Sequence, residues 1–332
     1  MEPKENSPLV AQGSSSARST ERAIACPLCR REGARVVRIG VREDPQRPVF
    51  QCSICTLQFL ERPNYSLREY YRERYRAEHD CVVGEKLTPE ERFKLVRPLQ
   101  EVRAYLFKRV IPKGATVLEV GCSSGYFLDS IRKDYTVFGN EWNPEDAAYV
   151  RDVGSIPCDE ADLKDAFPGK LFTCIAAFHV LEHQPDPIAW LETAKSRLIG
   201  GGWIYLEVPN LDDALLSIYN LESFRNFFYR EPHLLYFNMQ SLGMLFGAVG
   251  LEGRITQKQD YGLWNHINWL MTNKPMPDAQ AAQFPFLPVP EQHPASHVIN
   301  RHFYEMDRMY RTRLDILKAC NALIGVGRKY EI

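Results

Sequence analysis

The sequence predicts an α/β protein built on a doubly wound, mostly parallel sheet, with a small cysteine-rich module before it and a helix after it. Three observations predict this. From Gly114 onward, short apolar runs alternate with helix-length amphipathic segments. A glycine turn, Gly121-Cys122-Ser123-Ser124-Gly125, joins the first such strand to the first such helix. Upstream stand two Cys-x-x-Cys pairs, separated by 22 residues. A βαβα order argues for parallel strands with helices on both faces.

Taken in order, residues 1–22 are polar, rich in Ser and Pro, and read as a disordered tail. Residues 23–62 hold the cysteine pairs and two β-like runs, Ala34–Ile39 and Val49–Cys52. Residues 63–112 are charged and Tyr-rich with helical spacing (Tyr70, Tyr71, Tyr75, then Phe93, Val96, Leu99, Val102, Leu106), interrupted at Pro98. They read as a helical linker or a lid. Residues 113–274 form the main domain. Its expected strands are Thr116–Val120, Thr136–Glu141, Leu171–Phe178 and Trp203–Val208. Its expected helices are Phe127–Arg132, Pro144–Val150 and Pro187–Leu198, the last closed by Gly200, Gly201 and Gly202. Asn238 or Ser241 caps a helix running to Val249. Leu251–Gln257 and Asn265–Thr272 read as a final strand pair. Residues 275–295 carry six prolines and read as an extended arm. Residues 296–332 read as a C-terminal helix. Its stripe of Ile299, Phe303, Met306, Tyr310, Leu317 and Ile324 suits docking on the parent domain or a homodimer through this helix.

Composition bounds the function. The chain has 332 residues, of which 45% are hydrophobic and 25% charged, with a net charge of −1. This is ordinary for a soluble globular protein. No apolar run approaches the roughly 18 residues of a membrane span, and the first twenty residues lack the apolar centre of a signal peptide. A cytoplasmic location and no membrane partner are the expectation. Residues 1–112 carry 21 Lys/Arg against 15 Asp/Glu, and the remainder 20 against 27. The basic excess of the front end is interleaved with acids, as on a solvated helix, so a nucleic-acid partner is not expected.

The glycine turn lacks the third glycine of a pyrophosphate clamp, and no G-x-x-x-x-G-K-[ST] run exists. A G-x-x-x-G turn preceded by Glu119 suits a phosphate-free ligand. S-adenosylmethionine (SAM) is such a ligand: backbone at Gly121 can approach its methionine part, and exposed N–H groups can meet its carboxylate. Glu141 ends the second strand, 20 residues beyond Gly121, where a carboxylate can accept ribose hydroxyls. SAM is therefore the expected cofactor. Expected contacts are Glu119, Gly121, Cys122, Ser123, Gly125, Tyr126, Phe127, Glu141, Trp142, Asp162, Phe178 and His179.

Cys26, Cys29, Cys52 and Cys55 offer four soft ligands on two short turns, the set a tetrahedral Zn²⁺ prefers. Four thiolates leave no open position, so the expected role of the zinc is structural.

The runs VLEVGCSSGYFL, VFGNEW, AFHVLEHQPDP, GGWIYLEVPN and EPHLLYFNMQSL, spread over about residues 113–274, resemble the class I SAM-dependent methyltransferases. The cysteine module resembles those attached to some sugar-modifying methyltransferases. The resemblance implies a Rossmann-like sheet and a SAM-dependent transfer, with Phe178 and His179 bordering the cofactor. The stretch Glu231-Pro232-His233-Leu234-Leu235-Tyr236-Phe237 resembles the E-x-H-L-x-Y-F segment of deoxysugar C-methyltransferases, whose histidine is the general base. His233 is thus the first candidate base, with Glu231 or Tyr236 assisting. His179, Glu182 and His183, at i, i+3 and i+4, together with His233, resemble the metal site of small-RNA 2′-O-methyltransferases and of the metal-dependent ubiquinone-pathway O-methyltransferases, whose first ligand is normally Glu where this chain has His179. The commoner role of such a pair is helix start and pocket wall, so a catalytic divalent metal is not expected, and His183 stays a catalytic candidate. The expected acceptor is a small polar molecule, a sugar, nucleotide-sugar or natural-product scaffold. An RNA methyltransferase and a non-catalytic SAM-binding scaffold are the alternatives.

Overall fold

The structure is a computed structural model that describes residues 24–79, 81–82, 85–277, 282–283 and 293–330. The expected N-terminal tail and most of the proline-rich arm lie outside the described residues.

The cysteine module contributes β1 (Arg35–Ile39), β2 (Pro48–Gln51) and β3 (Gln58–Phe59). Helix α1 (Leu67–Glu69) runs through a widened π-type turn, Tyr70–Arg74, into α2 (Tyr75–His79). A ribbon of β4 (Cys81–Val82) and β5 (Glu85–Lys86) leads to α3 (Pro89–Val96) and α4 (Glu101–Lys108). Between these helices the chain tightens into a 3₁₀ turn around Pro98, whose missing N–H cannot continue an α-helix.

The main sheet begins with β6 (Thr116–Val120), followed by α5 (Tyr126–Ile131), β7 (Thr136–Asn140), α6 (Pro144–Asp152) and β8 (Cys158–Asp159). Next come β9 (Phe172–Phe178), α7 (Pro187–Ser196) and β10 (Leu198–Pro209). An insert holds α8 (Ala214–Ser217), α9 (Glu222–Phe228) and β11 (Leu235–Tyr236). The chain continues with α10 (Met239–Ala248), β12 (Glu252–Lys258), α11 (Leu263–Thr272), α12 (Ser296–Ile316) and β13 (Ala322–Arg328). Helix starts follow local chemistry. Asn143 and Asp186 cap α6 and α7 ahead of Pro144 and Pro187, and Asn238 and Ser241 form a reciprocal box on α10.

In space the main sheet runs β12-β13-β10-β9-β6-β7-β8, with β13 antiparallel to both neighbours and β8 to β10 parallel. The strand order reverses between β6 and β9. Ligands of doubly wound sheets bind outside the carboxyl ends of the strands at such a reversal.

Three expectations change. Asn265–Thr272 belongs to helix α11, not to a strand: Asn265, His266 and Trp269 are buried, a helical and not an alternating spacing. The C-terminal helix stops at Ile316, and Lys318 takes a positive φ of 60°. Ile324 then lies in β13, the true partner of β12, and not on a helical stripe. Gly200, Gly201 and Gly202 do not close α7. They form an irregular start of β10, where the pairing with β9 jumps between Leu198 and Trp203. Helix α12 docks on α11, with Trp264 against Phe303 at 6.0 Å and Asp307 accepting from Leu263 N at 2.6 Å.

A second sheet, ordered β1-β2-β3-β11, ties the cysteine module to the insert. One apolar core runs from Leu28, Val49 and Phe59 through Leu235 and Phe237 to Leu206, Leu242 and Phe246. The other face of the main sheet is filled by Phe107, Phe127, Ile131, Val150, Phe178 and Tyr205.

Candidate active site

A cavity of about 530 Å³ opens at the carboxyl ends of β6, β7 and β9. Glu119, Gly121, Ser123, Tyr126, Glu141, Trp142, Asp162, Phe178 and His179 line it, nine of the twelve residues expected to hold the cofactor. The other three serve the turn. Gly125 takes a φ of 76° before α5, Phe127 packs against Phe178 at 4.4 Å, and the Cys122 sulfur turns inward, 3.8 Å from that of Cys158. Gly121 needs its missing side chain twice over. Its φ is 70°, and a Cβ would stand 2.6 Å from Val180 Cγ2. The roof is α1, the π-type turn and α2, through Arg68, Tyr71, Tyr75 and Arg76. Tyr70, in the same segment, packs inward on Tyr65, Tyr71 and Tyr75. Sequence reading missed Arg103, Trp190 and Thr193, which come from helix faces that carry no motif, and Asn140, which closes β7 next to Glu141.

Glu141 accepts the N–H of Ser123 at 2.8 Å and of Asn143 at 2.9 Å. The turn and the second strand are thereby locked together, while each carboxylate oxygen keeps lone pairs for a ligand. Glu119 is buried with Oε2 unpartnered, and burial lifts its pKa well above the carboxylate range. An unpaired buried acid in a cavity wall marks a place where a ligand donates. The cavity thus fits an adenosyl cofactor: an acidic strand end for hydroxyls, an orphaned carboxyl for an amino group, and an N–H-rich turn.

His179 takes a φ of 56° at the end of β9. Its ring stands 3.3 Å from both the Glu182 and the Glu207 carboxylates. Burial opposes its charge, but the two carboxylates prevail and raise its pKa to about 9. Glu207 is fully buried and grips Arg103 and Lys258 as well.

His183 Nδ1 lies 2.6 Å from the Pro232 carbonyl and 2.7 Å from the Tyr71 hydroxyl. A carbonyl can only accept, so Nδ1 carries the proton and Nε2 is left with a lone pair. Burial lowers the pKa of His183, and that of His233 falls well below the usual range for the same reason. His233 packs edge-on against His183 with centroids 4.8 Å apart, and its Nδ1 has no partner. Of the catalytic candidates, His183 alone lines the cavity. His233 stands behind it. Glu231 pairs with Arg47 at 3.3 Å, and the Tyr236 hydroxyl is tied to the backbone of Arg230.

Two groups of side chains could hold a metal among the described residues. The sulfurs of Cys26, Cys29, Cys52 and Cys55 all lie within 4.8 Å of one another, with Cys26 to Cys55 and Cys29 to Cys52 at 3.4 Å. A tetrahedral ion with Zn–S bonds of about 2.3 Å sets sulfurs about 3.8 Å apart, so the cluster fits the ion. Donor atoms of Glu182, His183 and His233 also lie within 4.8 Å of one another. Both Glu182 oxygens are buried without a hydrogen bond.

A doubly wound sheet with an antiparallel β13, carrying a glycine turn and an acidic strand end at its switch point, defines a class I SAM-dependent methyltransferase. A family model described as a methyltransferase domain matches residues 90–255. The chain belongs to that family. It is 30% identical over 135 residues to ubiquinone biosynthesis O-methyltransferases from strains of Xanthomonas campestris pv. campestris, a match covering 38% of this chain and 56% of theirs. The chain thus matches about half the length of those relatives. Among solved structures it is similar to a SAM-dependent methyltransferase from Archaeoglobus fulgidus (18% identity, TM-score 0.47, covering 72% of this chain and 97% of that one). It is also similar to the plantazolicin methyltransferase BpumL in complex with SAH (15% identity, TM-score 0.42, covering 73% and 85%). No helix among the described residues is long and apolar enough to cross a membrane.

Proposed function

We propose that the protein transfers the methyl group of SAM to a hydroxyl of a small polar acceptor. The observation that supports this most is the placement of His183, which lines the cofactor cavity with Nε2 unprotonated. The relatives' activity on oxygen agrees with it, and the expected sugar or natural-product acceptor belongs to the same class of hydroxylated molecules. The cofactor-contact roles of Glu119, Gly121, Ser123, Glu141, Trp142, Asp162, Phe178 and His179 are part of this proposal, as is a structural zinc on the four cysteines.

The chemistry needs little covalent help from the protein. An acceptor hydroxyl held in line with the sulfonium forms the O–C bond as the S–C bond breaks. Its proton passes to His183 Nε2, leaving a methyl ether and S-adenosylhomocysteine (SAH). Pro232 and Tyr71 fix the ring for this step. His233, the first candidate from sequence, supports His183 from behind. Tyr71, Tyr75 and Trp142 exclude water from the cavity.

A second reading places a divalent cation on Glu182, His183 and His233. The fully buried Glu182 carboxylate favours it: it meets the His179 ring at 3.3 Å and His183 Nε2 at 4.0 Å but accepts no well-formed hydrogen bond, so its lost solvation is only partly offset. This would overturn the expectation of no catalytic metal. When bound, the ion would lower the pKa of a coordinated hydroxyl. The test is a mass-spectrometric screen of phenols, sugars and nucleotide-sugars for a gain of one methyl group, with His183→Ala and with chelator. A product lost in His183→Ala but indifferent to chelator supports the metal-free base. A product lost with chelator supports the cation. A product formed equally well by His183→Ala contradicts both.

A further inference from the structure

The two cysteine turns are built alike. In each, the residue after the second cysteine has a positive φ of 61°, at Arg30 and at Thr56. In each, that residue's N–H returns to the first cysteine's carbonyl, Arg30 to Cys26 at 3.0 Å and Thr56 to Cys52 at 3.1 Å. Neither residue is glycine, and such a conformation persists only where the surroundings over-determine it.

These two equivalent residues reach two different helix caps, each a few residues beyond one of the two histidines. Arg30 donates through its one nitrogen Nη2 to both carboxylate oxygens of Asp186, each at 2.7 Å. Asp186 caps α7 and lies three residues beyond His183. The Thr56 hydroxyl donates to the Cys55 carbonyl at 2.7 Å and accepts from the side-chain amide of Asn238 at 2.9 Å. Asn238 caps α10 and lies five residues beyond His233. Between these anchors, β3 pairs with β11 (Phe59 with Leu235, Gln58 with Tyr236), and Leu60 N donates to Leu234 O at 2.9 Å. The strand that starts two residues after His233 is therefore an edge of the cysteine module's own sheet.

We propose that the metal-loaded cysteine knot is a clasp that holds the His183 segment and the His233 segment in register, with Arg30 and Thr56 as positioning residues. The inference rests on the zinc reading of the four cysteines and on the reading of the cavity as an active site. One ion fixes both turns, and each turn holds one helix cap. The exposed Arg30–Asp186 pair contributes little energy alone. Its part is to set the approach of α7, while the β3–β11 ladder supplies rigidity. What the clasp preserves is the hydrogen bond from His183 Nδ1–H to the carbonyl of Pro232, the residue just before His233, which joins the two segments directly.

The test uses the full zinc-loaded chain with ¹⁵N-labelled histidine, and SAH as the cofactor probe. Thr56→Val keeps the β-branched shape and loses the hydroxyl, and Arg30→Gln loses the charge. In the double variant, zinc content should stay at the wild-type level and the Kd for SAH should stay within about twofold. The protected Nδ1–H resonance of His183 should be lost, the His233 ring signals should shift, and those of His266, far from the knot and bonded to Tyr310, should not move. Thr56→Ser should restore the wild-type spectrum. Unchanged His183 and His233 signals in the double variant would overturn the clasp, and so would equal movement of His266. A wild-type chain that fails to bind SAH would sink the proposed function instead, and the ring signals would still decide the clasp.

Discussion

Arg103 on α4 grips the fully buried carboxylate of Glu207 on β10, with Nη2 at 2.5 Å and Nε at 3.2 Å. This contact pins the helix before the sheet to the strand beside β9, whose carboxyl end borders the cavity. Burial favours the neutral acid, but Arg103 and Lys258 outweigh it and hold Glu207 well below the usual carboxylate range. Removing one partner of a buried pair costs about 3–5 kcal/mol, and the remaining Lys258 lowers that figure here. Arg103→Ala should destabilise the protein by about 2–3 kcal/mol, read as a lower urea midpoint at unchanged slope. Arg103→Lys should recover only part, because an ammonium cannot reproduce the two-pronged fork.

Gly121 tests the turn. Gly121→Ala places a methyl 2.6 Å from Val180 Cγ2 on a backbone with φ 70°. SAH binding should fall at least about tenfold by calorimetry, about 1.4 kcal/mol. Adding Val180→Ala should relieve the clash but not the backbone strain, so it should restore only part of the affinity.

Asp213 caps α8 through Leu215 N, and burial raises its pKa from 3.8 to about 7. The folded chain therefore binds this proton more tightly than the unfolded chain. Stability from this group is full below pH 4 and is lost as pH rises from about 4 towards 7, by at most about 4 kcal/mol. Asp213→Asn keeps a good cap and removes the titration. The variant should match wild type near pH 4 and be more stable at pH 8, measured by thermal unfolding across pH. Equal stability differences at both pH values would contradict the assignment.

Metal analysis checks the cysteine knot. One zinc per chain is expected, released by a mercurial with a large loss of thermal stability, since a structural zinc contributes folding energy outright. Cys26→Ser and Cys55→Ser should each abolish binding and lower stability together.

The legible parts of the fold were those where local chemistry and global position agree. The run from Val117 to Leu128 opens as a short apolar strand buried on both faces, turns at a glycine with a φ of 70°, and leads into a helix. The four cysteines were legible as one cluster because two Cys-x-x-Cys turns each present a pair of sulfurs, and the fold brings all four within 4.8 Å of one another. Strand β13 was not legible. Its apolar residues share spacing with the helix before it, and its real signal is Gly325 and Gly327, two residues apart. Their missing side chains admit the Phe246 ring, whose atoms would stand 2.8 Å and 2.7 Å from an added Cβ. That reason lies on α10, about eighty residues away in sequence, and no local pattern reports it. The same holds for His183 and His233. Both histidines stand in motifs, but which one lines the cavity is decided by Pro232, Tyr71 and the β3–β11 pairing, which only the fold brings together.

The most direct measurement of the central claim is calorimetric titration of SAM and SAH into the full chain and into Glu141→Ala. Glu141 holds the turn through Ser123 N and faces the cavity with its remaining lone pairs. The account predicts saturable binding of both ligands to wild type, weakened at least about tenfold for both in Glu141→Ala. No binding to the folded, zinc-loaded wild type at millimolar SAM would contradict it.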